Sequence, residues 1–201
     1  ISLTKGETRY ASDAVPVLMP ADVMRKLVPD PVPVAIPLLA SGITVDGEFS
    51  EWASVPPVFL PSAKGPAKTV RLAWSPQGLC GACVVSDSQI VVDEREPWNA
   101  DAVCVDIEAD FWRRIGITDE SKICKVYLFP RPDLGTAGPA GVRITAARLF
   151  DRKSVTAAWR KRPDGYQIEF LVSAGGLAPA KMEKGTVMGF NFIVRNAGAV
   201  V

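Results

Sequence analysis

Residues 102–108 read Ala-Val-Cys-Val-Asp-Ile-Glu, so Val103, Val105 and Ile107 fall on one side while Ala102, Cys104, Asp106 and Glu108 fall on the other. A period of two is the mark of a strand with one buried face. The same short alternation recurs from Ile43 onward. Lys68 to Trp74 places Val70, Leu72 and Trp74 together, Ser75-Pro76-Gln77-Gly78 turns the chain, and Leu79 to Ser86 returns as a hairpin. Further strands are expected over 122–129, 142–149, 154–161, 166–172 and 186–194, with Asp164-Gly165 as a tight turn. Thr44 to Trp52 combines a turn at Asp46-Gly47 with a short helical turn that points Phe49 and Trp52 inward, and Ser173 to Leu177 starts another brief helical piece. Strands do not alternate with helices, and Gly175-Gly176 lacks the spacing and Lys of a phosphate loop. The economical solution is all-β: two antiparallel sheets stacked as a jelly-roll-like β-sandwich.

Residues 1–40 differ from the rest. Pro16, Pro20, Pro29, Pro31, Pro33 and Pro37 limit regular structure to short pieces, of which 21–28 suits a two-turn helix. The segment is too apolar for a solvated linker, so it reads as a Pro-rich N-terminal arm on a domain spanning 41–201. The chain opens on Ile1 with neither initiator Met nor signal peptide, which suggests a processed or excised product.

Composition narrows the function. The 23 basic and 22 acidic residues give a formal charge of +1, which supplies no electrostatic reason for a nucleic-acid or anionic-membrane partner. No apolar run reaches the length, about 18 residues, that a membrane span needs. There is no histidine, which removes the commonest general base, every Ser-His or Cys-His couple and the usual imidazole ligand. Asp106 and Glu108 share a strand face roughly 7 Å apart, a spacing glycosidases use but almost any two acids on one strand would match. Cys80-Gly-Ala-Cys83 sits in a strand, where residues three apart face opposite sides, and Cys104 and Cys124 lie too far along for a zinc set. Free buried thiols are expected, with a Cys104–Cys124 disulfide as the alternative.

Glu96-Pro97-Trp98-Asn99 is a Pro-led loop carrying a large aromatic ring just before the 102–108 strand. An indole beside acids and amides suits a sugar, whose C–H face stacks on the ring while polar groups take the hydroxyls. The competing reading makes Trp98 a cap on the core. Trp112 reads as a second platform, an interface anchor or a helix packed on the sheet; Trp159 reads as a solvated strand residue or as packing against Tyr166.

The order of these pieces resembles the family 9 carbohydrate-binding modules, within the wider group of DOMON-like sandwiches. The matching stretches are Ile43 to Trp52, Val70 to Trp74 with Gly78-Leu79, Val85-Ser-Asp87, Pro97-Trp98 with Asp101 and Val103, Asp164 to Glu169, and Met188 to Phe192 with Val194 and Asn196. They cover 43–197 and leave 1–40 outside. The resemblance implies a non-catalytic module, extracellular or periplasmic, that holds an oligosaccharide or polysaccharide and belongs to a larger multidomain protein. It places Trp98 on one wall of an aromatic clamp, with Asn99, Asp101, Lys125 and Asn196 as polar neighbours, and Trp52 and Trp74 in the core. The family's second clamp Trp lies beyond the last strand found here. Three polar positions depart from the pattern: a strand Glu is Cys104, a Gln is Ile193 and an Asp is Asn196. No organic cofactor is implied. Calcium is, near Asp-rich loops, for which Asp87, Asp93 and Asp101 are candidates. Haem, known in the wider group, would fall to Met182, Met188 and Lys184. The alternative function is a sandwich that has lost sugar affinity and serves as a structural or protein-interaction domain.

Overall fold

The computed structural model describes residues 34–60, 68–87, 89–109, 123–145 and 151–197. Among the described residues ten strands form two antiparallel sheets: β1 (Pro57–Leu60), β2 (Lys68–Ser75), β3 (Gly78–Ser86), β4 (Ala102–Glu108), β5 (Cys124–Phe129), β6 (Ala137–Pro139), β7 (Gly141–Thr145), β8 (Val155–Arg162), β9 (Gly165–Ser173) and β10 (Gly189–Arg195). One sheet has six strands in the order β1-β2-β3-β9-β8-β6, and the other has four in the order β10-β4-β5-β7. The all-β sandwich expected from the period-two pattern is the observed architecture.

Alternation decides which side chains meet between the sheets. Val103, Val105 and Ile107 of β4 pack with Val126 and Leu128 of β5 against Val70, Leu72, Trp159, Tyr166, Ile168 and Phe170 of the larger sheet. Tyr166 and Trp159 are 0% and 1% exposed, so Trp159 is a core residue and not part of a solvated face. Full burial of side chains this large removes their apolar surface from water, and deleting one costs about 3–5 kcal/mol.

A second apolar layer lies outside the six-stranded sheet, where Trp52, Val55 and Ile43 cover Ala73, Cys80 and Ala82. Glu169, 0% exposed, anchors this layer. Its Oε1 accepts from Trp52 Nε1 at 2.6 Å, and its Oε2 accepts from the backbone N–H groups of Asp46 and Gly47, each at 3.1 Å. Gly47 has φ +83°, a left-handed conformation that β-carbon-bearing residues enter only with strain, and it lets the Asp46-Gly47 turn present both N–H groups to one carboxylate. Trp74, expected in the core, is only half-buried, at the end of β2.

Two strands escaped the sequence reading. β1 and β6 include Pro57 and Pro139, and both lie at the two edges of the six-stranded sheet, where a residue without an N–H is tolerated. The strand expected over 142–149 is described as Gly141–Thr145, its remainder falling outside the described residues. The two-turn helix expected at 21–28 and Trp112 also lie outside them. Part of the arm is attached: Trp74 N donates to Pro37 O at 3.0 Å, and Leu39 N donates to Trp74 O at 2.8 Å. Leu38 thereby pairs in parallel with Trp74, in line beyond the end of β1.

The cysteines are all free and buried. Cys124 faces the inter-sheet core while Cys104 faces the opposite side of the same sheet, so the alternative of a bond between them is overturned by strand parity. Cys80 and Cys83 likewise belong to different layers.

Candidate functional site

The residues of β4 that point away from the core open the outer face of the four-stranded sheet. Register fixes its rows. Ile193 of β10 sits opposite Cys104, Cys104 opposite Tyr127, and Tyr127 opposite Arg143 of β7. The next row runs Asn191, Asp106, Lys125, Thr145. Ala102, Cys104, Tyr127 and Phe129 make a small apolar floor, against which Val92, Trp98 and Ile193 pack.

Trp98 stands on this floor, in a 3-10 turn at Pro97–Asn99. Its ring meets Tyr127 edge-on, with centroids 6.0 Å apart and planes at 66°. It is half-buried: one side packs on the floor, as a cap would, and the rest stays open. Tyr127 is itself buried, so its ring supports Trp98 from the floor, and Trp98 is the ring that keeps an open side.

The loop holding Trp98 is tied at both ends. Asp93 Oδ1 accepts from the N–H groups of Arg95 and Glu96 at 2.8 and 2.9 Å, and Asn99 Nδ2 donates to Glu96 Oε2 at 2.9 Å. Arg131 pairs with Glu94 at 3.0 Å, and Arg195 Nη1 donates to Trp98 O at 3.2 Å. Asp101 fastens the far side. Its Oδ2 accepts from Val91 N and its Oδ1 from Ala197 N, both at 2.6 Å. A ring fixed in this way loses little freedom on meeting a ligand.

The five positions expected at the site therefore separate. Trp98 and Lys125 lie on the outer face, Lys125 roughly 7 Å along β5 from Tyr127. Asn99 is exposed and bonded to Glu96 within its own loop. Asn196 follows β10 beside Ala197, half-buried, with Oδ1 lacking a donor among the described residues. Asp101 is 0% exposed, and both carboxylate oxygens are engaged by backbone. Its role here is to clamp the loop, which corrects the expectation that it faces a ligand. Tyr127, Arg143 and Arg195 went unremarked in the sequence. Tyr127 was within reach, since Lys125, Tyr127 and Phe129 share one parity in β5; the two arginines were not, because their place depends on pairing with distant strands.

Burial sets the electrostatics of the floor. It pushes the Cys104 thiol up to about 12, with the neighbouring Asp106 charge adding to it, so this sulfur is a thiol at neutral pH. Burial also raises the Tyr127 hydroxyl, Cys104 adds to that, and the positive charge of Arg195 opposes it. Asp106 spends its oxygens locally, accepting from Cys104 Sγ at 3.3 Å and from Asn191 Nδ2 at 3.2 Å. Glu108 is buried, so these two acids do not form an open pair.

Calcium takes about 6–8 oxygen ligands, backbone carbonyls among them. Asp93 caps its own loop at the surface, and no three acidic or sulfur-bearing side chains gather around one point among the described residues. Asp87 and Asp101 do approach each other. Asp101 is lifted above the usual carboxylate range mainly by burial, with Asp87 contributing, while Asp87 Oδ2 is buried without a donor. Met182 and Met188 pack on the inter-sheet core.

The architecture is that of a two-sheet antiparallel sandwich, and solved structures share it. A family 9 carbohydrate-binding module from Caldicellulosiruptor kristjanssonii in complex with cellotriose superposes with a TM-score of 0.64 at 21% identity, over 82% of this chain and 77% of that one. The same kind of module from that organism, in complex with glucose, gives 0.62 at 21% identity, over 82% and 79%. The chain has the fold of these modules. No protein-family model matches it, and no curated protein is similar to it at a significant level.

Proposed function

We propose that the chain is a non-catalytic carbohydrate-binding module that takes the end of an oligosaccharide or polysaccharide on the outer face of its four-stranded sheet. The observation that carries this reading is Trp98, tied above an apolar floor and set at 66° to Tyr127. A pyranose presents an apolar C–H face to one ring and hydroxyls to the groups around it, here Lys125, Asn191 and Asp106. Asn99 and Asn196 border the same end of the sheet and complete the polar rim; Asp101 supports the loop from below. The likeness of fold to modules solved with cellotriose and glucose supports the same reading.

Recognition of this kind moves no bond, and no residue is given a chemical step. The absence of histidine from the sequence and the engagement of Asp106 by Cys104 and Asn191 agree with a binding role. The module acts outside the cytoplasm, in an extracellular or periplasmic setting, as one part of a larger protein.

The test is titration of glucose and of cello- and xylo-oligosaccharides while Trp fluorescence is followed, beside isothermal calorimetry. A saturable change is expected in the wild-type chain, and Trp98→Ala weakens binding by about tenfold or more. A flat response in both measurements across the panel removes the reading.

A further inference from the structure

The outer face carries more positive charge than a neutral sugar requires. Arg195 pairs in register with Ala102, Arg143 with Tyr127, and Lys125 with Asp106, which puts three cations on the same outer face as Trp98. Among the described residues none of the three makes an ion pair. Asp106, opposite Lys125 in register, accepts from Cys104 Sγ and Asn191 Nδ2. Glu108, further along the strand, is buried with a partner of its own.

Arg195 adds an independent observation. One arm of its guanidinium is fixed to Trp98 O at 3.2 Å, while Nε is buried with no acceptor among the described residues. A buried donor without an acceptor is unfavourable, and most so when it belongs to a charged group. Its charge reaches Tyr127 and Cys104, as the direction of its effect on both groups shows. Arg143 is exposed on the edge strand β7, directly opposite Tyr127. A planar guanidinium is a forked donor suited to carboxylate and sulfate oxygens, and Lys125 supplies a point charge diagonal to it.

We propose that the ligand is an anionic sugar, whose carboxylate or sulfate is met by Arg143 and Lys125 while its ring rests on Trp98, with Arg195 adding positive charge from the opposite edge of the sheet. This deepens the carbohydrate-binding reading and rests on it. It adds a preference within that class: at equal ring size, a charged sugar binds more tightly than a neutral one.

The experiment compares glucose, glucuronic acid and glucose 6-sulfate, each titrated into the full chain at low and high salt, with the wild type and Arg143→Gln. Glucuronic acid or glucose 6-sulfate is expected to bind about tenfold or more tighter than glucose, as one charge-assisted hydrogen bond would give. The preference shrinks as ionic strength rises, because exposed charges are screened over about 8–10 Å at ordinary salt. Arg143→Gln narrows the ratio of charged to neutral affinity. Whichever anion binds more tightly identifies the substituent. Equal affinity for glucose and both anions, with glucose binding intact, overturns the charge preference and leaves sugar binding standing. No binding of any of the three, nor of the neutral oligosaccharides, removes both.

Discussion

Replacing Glu169 by Gln tests how one buried carboxylate joins the Asp46-Gly47 turn and Trp52 to the larger sheet. The wild-type side chain accepts three hydrogen bonds, from Trp52 Nε1 at 2.6 Å and from the N–H groups of Asp46 and Gly47 at 3.1 Å each. Gln has one acceptor oxygen. Turned toward the backbone pair, it leaves the indole N–H facing an amide NH2, and turned the other way it abandons both backbone groups. A buried donor left without its acceptor costs about 1–3 kcal/mol. Opposing this, removal of the charge relieves desolvation, and burial does lift the Glu169 carboxyl above its ordinary range, with Trp52, Gly47 and Asp46 pulling the other way. The hydrogen bonds are more numerous than the single charge relieved, so the net effect is a loss of about 1–3 kcal/mol, or about 2–12 °C in Tm for a domain of this size. Chemical denaturation of wild type, Glu169→Gln, Trp52→Phe and the double variant gives the interaction energy, expected at about 1–2 kcal/mol. Strictly additive costs would refute the argument. The pH dependence follows by linkage. Because the folded pKa is raised, the folded state keeps this proton when the unfolded chain, with its Glu near about 4.3, has released it. The Glu169 contribution is therefore full below that value and is lost as pH rises through the folded pKa. The difference between wild type and Glu169→Gln should shift by that amount over the window, whereas a pH-independent difference contradicts it.

Asp101→Asn leaves one of the Val91 and Ala197 N–H groups without an acceptor, so it should cost about 1–3 kcal/mol. Hydrogen exchange at Val91 and Ala197 should quicken together with that of the Trp98 loop, and unchanged protection would mean that Asp101 is not its clamp. Gly141→Ala places a Cβ against Phe129 Cε2, so this ring of the apolar floor must move. The expected loss is about 1–3 kcal/mol with an altered near-UV circular dichroism spectrum, and wild-type behaviour in both would exclude tight packing there. Burial lifts the thiols of Cys80, Cys83, Cys104 and Cys124 to about 11 or 12, so all four should resist a thiol reagent at pH 8 in the native protein. All four should react after denaturation without reductant, and a count of two would revive a disulfide.

The sequence made legible what a period of two encodes, and little of what depends on partners far along the chain. Val103, Val105 and Ile107 could be assigned to the core from their own spacing, and their burial follows from it. The edge strands β1 and β6 could not, because their Pro residues argue against strand wherever the edge position is unknown. Asp101 shows the same divide within the site: an acid beside a loop Trp reads as a ligand contact until Val91 and Ala197 are found bonded to it. Arg195 and Arg143 lie about 50 residues apart in sequence and on opposite edges of the four-stranded sheet, so only the pairing of β10 with β4, β4 with β5 and β5 with β7 brings them to one face. That pairing bears on what the face recognises. The central row of Ile193, Cys104 and Tyr127 is largely apolar and poor in acceptors, so the floor gives a ring contact rather than a pattern of hydroxyl bonds. Discrimination then falls to the rim, where Lys125, Arg143 and Arg195 make no ion pair among the described residues, and a ligand chosen at such a rim is chosen by charge before it is chosen by hydroxyl stereochemistry.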